Sequence, residues 1–219
     1  MDRFSPLAWV RRLAALALIG AFFLPMVRGC GMEFSAVEVM KVLPESGPRG
    51  LLFRAGIFFP HFLALGLVLA EGLILRGGEA GARPAFNLLL GFALLEASLL
   101  IAAGVVLPLA LEGGGRDVRR ALQASGIVER VGMAFALGYP AAGAVWILLG
   151  RKGGASERLR RLGALCFGAV LLWYGAFILE GIVDARGRLA DVGLDYLRWG
   201  FWLACCAALV IWVSLLDRK

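Results

Sequence analysis

One histidine, three lysines and four cysteines in 219 residues leave little for metal or redox chemistry. A single His cannot supply bis-histidine haem ligation or a multi-histidine metal centre. The cysteines form no metal box, because Cys205 and Cys206 are adjacent and point roughly 100° apart on a helix. Cys166 belongs to a different apolar run and Cys30 lies outside all of them. No structural disulfide is expected. Also missing are a Gly-x-Ser-x-Gly elbow, a His-Glu-x-x-His pair and a phosphate-cradling Gly-x-x-x-x-Gly-Lys. No catalytic residues, metal or cofactors are therefore expected.

Charge is scarce too. Only 18% of the residues are charged and 60% are apolar, with mean hydropathy +0.81. Soluble domains hold about 25% charged and 45–50% apolar residues. A water-soluble globule is excluded, and so is a disordered chain, which needs the opposite balance. The net charge of +7 is spread through every connection between apolar runs. That spread fits basic residues at span ends and gives no nucleic-acid stripe. Arg outnumbers Lys 20 to 3 beside abundant Ala and Gly, a composition typical of a GC-rich bacterial genome.

Crossing about 30 Å of hydrocarbon takes about 20 apolar residues. Six stretches qualify: 7–27, 55–75, 85–111, 131–149, 162–183 and 199–216. The expectation is an all-α, polytopic membrane protein, a six-transmembrane-helix bundle forming a single domain over 1–219. In the first stretch Arg11 and Arg12 should snorkel to the interface beside Trp9. This stretch also imitates a secretory signal ending at Val27-Arg28-Gly29-Cys30. Arg28 fits a lipoprotein cleavage site poorly, so retention as a span is expected. With the amino terminus inside, the inner stretches carry 12 basic residues and the outer ones 11, over about twice the length. This density places both termini in the cytoplasm of a bacterium with the chain in its inner membrane.

Ser35-Ala36-Val37-Glu38 reads as a capping box, with Phe34 and Val39 as a hydrophobic staple. It predicts a short outer interfacial amphipathic helix ending near Pro44. Asp117–Gln123 could form a second. Pairs of small residues four apart, Gly66/Ala70, Ala93/Ala97, Gly132/Ala136 and Ala164/Gly168, mark close helix contacts. Trp146 and Trp212 should anchor the inner interface, and Trp199 and Trp202 the outer one.

An ungapped shift of 109 residues lays spans two and three over spans five and six, with ten identities in the 39 positions from Leu63 to Ile101. Gly66 meets Gly175, Glu71-Gly72 meets Glu180-Gly181, and Gly91-Phe92 meets Gly200-Phe201. The pattern suggests a 3+3 inverted repeat of the kind transporters use.

The candidate binding or proton-relay residues are Glu96, Glu71, Glu180 and His61, the ionisable groups within spans two to six, which hold no Lys or Arg. A carboxylate at such depth costs at least ~2.5–3.5 kcal/mol. Each must be protonated, hydrogen-bonded or beside water. At 1.5 Å per residue Glu71 lies ~6 Å from the inner end of its span and Glu96 ~16 Å from the inner end of its own. Glu180 lies ~5 Å and His61 ~9 Å from the outer ends. Glu71 and Glu180 are expected to reach interfacial water. Glu96 needs neighbours such as Asn87, Ser98 or Tyr139, and His61 should sit satisfied beside a kink at Pro60.

Two functions follow. One is a transporter- or channel-like protein with a proton- or cation-linked intramembrane site. The other is a non-catalytic subunit of a larger membrane complex. The expected partners are membrane lipids and either further copies of the chain or a larger membrane protein, with no nucleic acid.

Overall fold

Ser5 starts the first helix. Its hydroxyl accepts from the Ala8 N–H at 3.2 Å, and Pro6, at the first helical position, has no N–H to leave unpaired. In the computed structural model of the chain the described residues are 5–29, 32–38, 48–101, 138, 141–143, 145–146, 154–184 and 197–217. They are mostly helical: α1 (Pro6–Ala21), α2 (Pro48–Gly77), α3 (Glu79–Ile101), α4 (Ala155–Asp184) and α5 (Trp199–Leu216). Two segments, Phe58–Gly77 and Trp199–Leu216, are long and apolar enough to cross a membrane. Of the expected fourth span only 138, 141–143 and 145–146 are described, all helical. Gly132/Ala136 and Asp117–Gln123 lie outside the described residues, as does the third span beyond Ile101.

The first apolar run does not stay helical to Val27. At Phe22 the N–H turns to the Ile19 carbonyl, and Phe23 and Leu24 repeat this tight pattern. Pro25 then disfavours helix for the residue before it. The chain continues as β1 (Pro25–Gly29), antiparallel to β2 (Met32–Ser35), with Gly29 opposite Met32. The all-α expectation thus needs one small strand pair added. Directly after it, the Ser35–Glu38 capping box forms as read: Glu38 Oε2 accepts from the Ser35 N–H at 2.7 Å and Ser35 Oγ from the Glu38 N–H at 3.3 Å. The helix it opens is described only over 36–38.

The connection between the second and third spans is shorter than expected. Helix α2 runs to Gly77, Gly78 turns the chain at φ 60°, and α3 starts at once at Glu79. A positive φ suits glycine, and the Gly78 N–H closes on the Ile74 carbonyl at 2.8 Å. Gly81 lets α3 pass against the α2 backbone, since a Cβ there would collide with the Leu73 carbonyl.

Helix α2 packs on α1 and α3, α3 on α4, α4 on α5 and α5 back on α1, while α2 also reaches α4. The ring is lined with small residues, as the four-residue spacings imply: Ala70, Ala93, Ala97 and Ala164 are buried, and Gly66 lies 3.0 Å, measured from an ideal Cβ, from the Phe92 ring. Trp212, expected as an anchor, lays its indole over Gly168. The strand pair fastens the end of the ring where α1 stops and α5 starts. Val27 bridges to Leu197, the Arg198 N–H donates to the Met26 carbonyl at 2.8 Å, and Arg198 pairs with Glu33 at 2.8 Å.

The shift of 109 residues does not match like with like. Leu63 is fully buried while Leu172 is 67% exposed. Gly66 lies against Phe92 whereas Gly175 has open space, and Gly91 is open whereas Gly200 lies under the Pro25 carbonyl. These identities therefore reflect shared helix composition more than shared environment.

Candidate functional site

The four ionisable candidates do not form one ladder. Glu71 is buried near the α2–α3 turn, and α1 brings two guanidinium groups to it. Arg11 Nε donates to Oε1 and Arg12 Nε to Oε2, the latter at 2.8 Å. This corrects two expectations: Glu71 does not reach interfacial water, and Arg11 turns inward to it. Arg12 does keep Trp9 beside it, its guanidinium 5.0 Å from the ring centroid. Each carboxylate oxygen thus has its own guanidinium. Such a cluster holds α1 and α2 in register, and removing one member of a buried ion cluster is costly.

His61 lies ten residues before Glu71 on α2. Its ring is buried, edge-on to Phe22 at 4.9 Å, and Nδ1 stands 2.8 Å from the Leu18 carbonyl. That carbonyl is free because the Phe22 N–H has turned to Ile19. A carbonyl only accepts, so Nδ1 carries the proton and His61 caps the end of α1. The expectation of a satisfied histidine is half met: Nε2, left as an acceptor, is buried with no partner among the described residues. Helix α2 runs unbroken through Pro60.

Glu96 differs from Glu71. It is 3% exposed against 4% for Glu71, yet Oε2 has no hydrogen-bond partner and no basic residue pairs with it among the described residues. Asn87 and Ser98, expected to satisfy it, are on the exposed side of α3, and Tyr139 lies outside the described residues. Glu180 is on α4, and its side chain is outside the described residues.

One residue escaped the sequence reading. Tyr174, on α4, is buried against Phe201 with ring centroids 5.1 Å apart, and its hydroxyl has no partner among the described residues. A tyrosine in mid-span, where the hydroxyl must find a polar group, was the available signal. The fourth buried polar atom without a partner is Arg198 Nε, at the strand pair, where Arg198 already binds Glu33.

Glu157, in the first turn of α4, shows compensation at a partly exposed position. Partial burial would raise its carboxyl, but hydrogen bonds from Arg161 and Arg160 outweigh this and hold it below its ordinary range. Arg161 Nε donates to Oε1 at 2.8 Å and Arg160 Nε to Oε2 at 3.0 Å, while Arg160 also reaches the Asp217 carbonyl after α5. Among the described residues no three His, Cys, Asp or Glu gather as a metal site. Compared with protein-family models, curated proteins and solved structures, the chain matches none.

Proposed function

We propose that the chain is a small bacterial inner-membrane protein, a six-span helical bundle with cytoplasmic termini, that acts as a transporter or channel with a proton- or cation-linked site at Glu96. The membrane part is supported by an outward face of large apolar residues, among them Leu13, Phe23, Leu95 and Leu172, around an interior that holds Arg11, Glu71, His61 and Glu96. Lipid on the outside makes that arrangement stable, because chain tails solvate leucine and the charged groups turn inward. Basic residues concentrated in the shorter stretches support the orientation.

The observation that carries the function is the buried Glu96 oxygen without a partner. Burying an uncompensated carboxyl costs stability, and inside a membrane protein such a residue marks an ion or proton path by default. The reading is tested with the full chain in vesicles carrying a pH dye, under a potassium diffusion potential. Proton uptake should exceed that of protein-free vesicles and be lost in Glu96→Gln. Wild-type uptake no faster than protein-free vesicles, or an unimpaired Glu96→Gln, would overturn it.

A second reading is a non-catalytic subunit of a larger membrane complex. It is favoured by Glu71, which spends both carboxylate oxygens on α1, and by His61, which spends Nδ1 there. Co-purification of a stoichiometric membrane partner in mild detergent would support it, and a discrete homo-oligomer would favour the transport reading.

A further inference from the structure

In the first turns of α1 a chain of contacts ties four side chains together. Arg11 Nε and Arg12 Nε donate to the two oxygens of one carboxylate, that of Glu71, so the two guanidinium groups stand beside each other. The Arg12 guanidinium also lies 5.0 Å from the centroid of the Trp9 ring, and Trp9 is 54% exposed. The cluster thus runs without a gap from buried Glu71 through the arginines to the surface at Trp9. Arg11 gives Glu71 its Nε and makes no other hydrogen bond among the described residues, although its side chain is only 6% exposed. Its Nη atoms are not among the partnerless atoms sealed from the surface, so they open onto it. The Nη1–Nη2 edge is the fork that fits two oxygens of a phosphate. A buried fork that opens outward with no acceptor points to a ligand that brings oxygens.

Beside the cluster lies an apolar track. Trp9, Leu13, Leu16 and Gly20 follow one another at spacings of four, three and four on the exposed side of α1. Leu13 and Leu16 are more than half exposed, and a Cβ added at Gly20 would meet nothing within 4 Å. From Trp9 to Gly20 is about 16 Å along the helix, close to one leaflet of a hydrocarbon core about 30 Å thick. Phosphate donors at one end and an apolar track of leaflet length leading away match the two halves of a phospholipid.

We infer that the Arg11–Arg12–Trp9 cluster binds the headgroup phosphate of one anionic phospholipid, whose acyl chain lies along Leu13, Leu16 and Gly20. The site rests on the membrane reading above, which puts the start of α1 at the cytoplasmic surface, and it does not depend on Glu96. The Arg11 fork takes the phosphate oxygens end-on. Arg12 adds a second guanidinium beside it and stacks on Trp9, whose amphipathic ring suits headgroup level. Glu71 holds both guanidinium groups in place before the lipid arrives, so little ordering is left for binding to supply. The same pair of arginines selects among lipids. Phosphatidylcholine would bring its own cation towards them, whereas phosphatidylglycerol brings a phosphate with a neutral alcohol. Basic pockets between helices at the cytoplasmic side recognise anionic headgroups in this way.

Native mass spectrometry of the full chain in mild detergent tests this, with phosphatidylglycerol and phosphatidylcholine added in turn. The wild type should hold one phosphatidylglycerol about tenfold more tightly than phosphatidylcholine. Arg11→Lys keeps a cation for Glu71 but has no fork, so that preference should fall about fivefold. Equal binding of the two lipids by the wild type overturns the site without any variant. So does an undiminished preference in Arg11→Lys. Should Arg11→Lys fail to fold, Trp9→Ala decides: weaker phosphatidylglycerol binding is expected, and unchanged binding overturns the site. Displacement of the lipid by excess glycerol 3-phosphate would assign the cluster to a soluble phosphate and overturn the lipid. Alkaline extraction separates this proposal from the reading it rests on. A chain released from membranes sinks the membrane reading, and a retained chain with no lipid preference sinks the lipid site alone. Lipid preference without proton uptake supports the lipid site and sinks transport at Glu96.

Discussion

Glu71 and Glu96 are the same residue at nearly the same burial, on two helices joined by a single glycine. One has a guanidinium on each oxygen; the other has an oxygen with nothing bound to it among the described residues. The comparison teaches that depth does not tell how a buried carboxylate is compensated. Glu71 is paired within the fold, whereas Glu96 keeps an oxygen with no partner among the described residues.

The sharpest way to break the comparison is Glu71→Gln. It removes the charge from the buried carboxylate to which Arg11 and Arg12 both donate, and a loss of about 3–5 kcal/mol is expected. Unfolding in detergent should show a large drop in midpoint, and an unchanged midpoint would put Glu71 in the class of Glu96. Glu96→Met should do the opposite, raising stability by about 1–3 kcal/mol as a buried orphan acceptor disappears, while proton uptake is lost. A destabilised Glu96→Met would mean that its carboxyl is already satisfied.

Ser35→Ala supplies a local reference. Glu38 finds its partner three residues away, so the change removes one cap and costs about 1 kcal/mol. The smallest effect belongs to Glu157. Its folded pKa is depressed, so its contribution is present above the unfolded carboxylate value and is lost as pH falls through the folded one. The half-exposed setting keeps that contribution to a few tenths of a kcal/mol. Acid unfolding should steepen at the carboxylate range in the wild type and flatten slightly in Glu157→Gln.

Much of the fold was legible because helices announce themselves by run length, caps and small-residue spacing. The Ser35 box and the buried Ala93/Ala97 and Ala164 show this. The strand pair was not legible. Phe22 to Val27 continues an apolar run, and hydrophobicity alone does not separate buried helix from strand; Pro25 was the one local sign of a break. The Arg11–Glu71 contact spans 60 residues and no local pattern encodes it. The clue was opposite charge at matching positions, since Arg11 falls near the start of one apolar run and Glu71 near the end of the next. Glu96 and His61 could be singled out as ionisable groups within apolar runs. Tyr174 was missed because its burial depends on packing against Phe201 on another helix.

The latch between the strand pair and the start of α5 sets a timetable for synthesis. Arg11 and Arg12 emerge about 60 residues ahead of Glu71, roughly 3–12 s at 5–20 residues per second. Closure by Leu197 and Arg198 waits another 126 residues, roughly 6–25 s more. Until then α1 has a neighbour on one side only, and the end that leads into the strand pair is unfastened. Helix α1 is thus made before the other described helices and closed into the ring last.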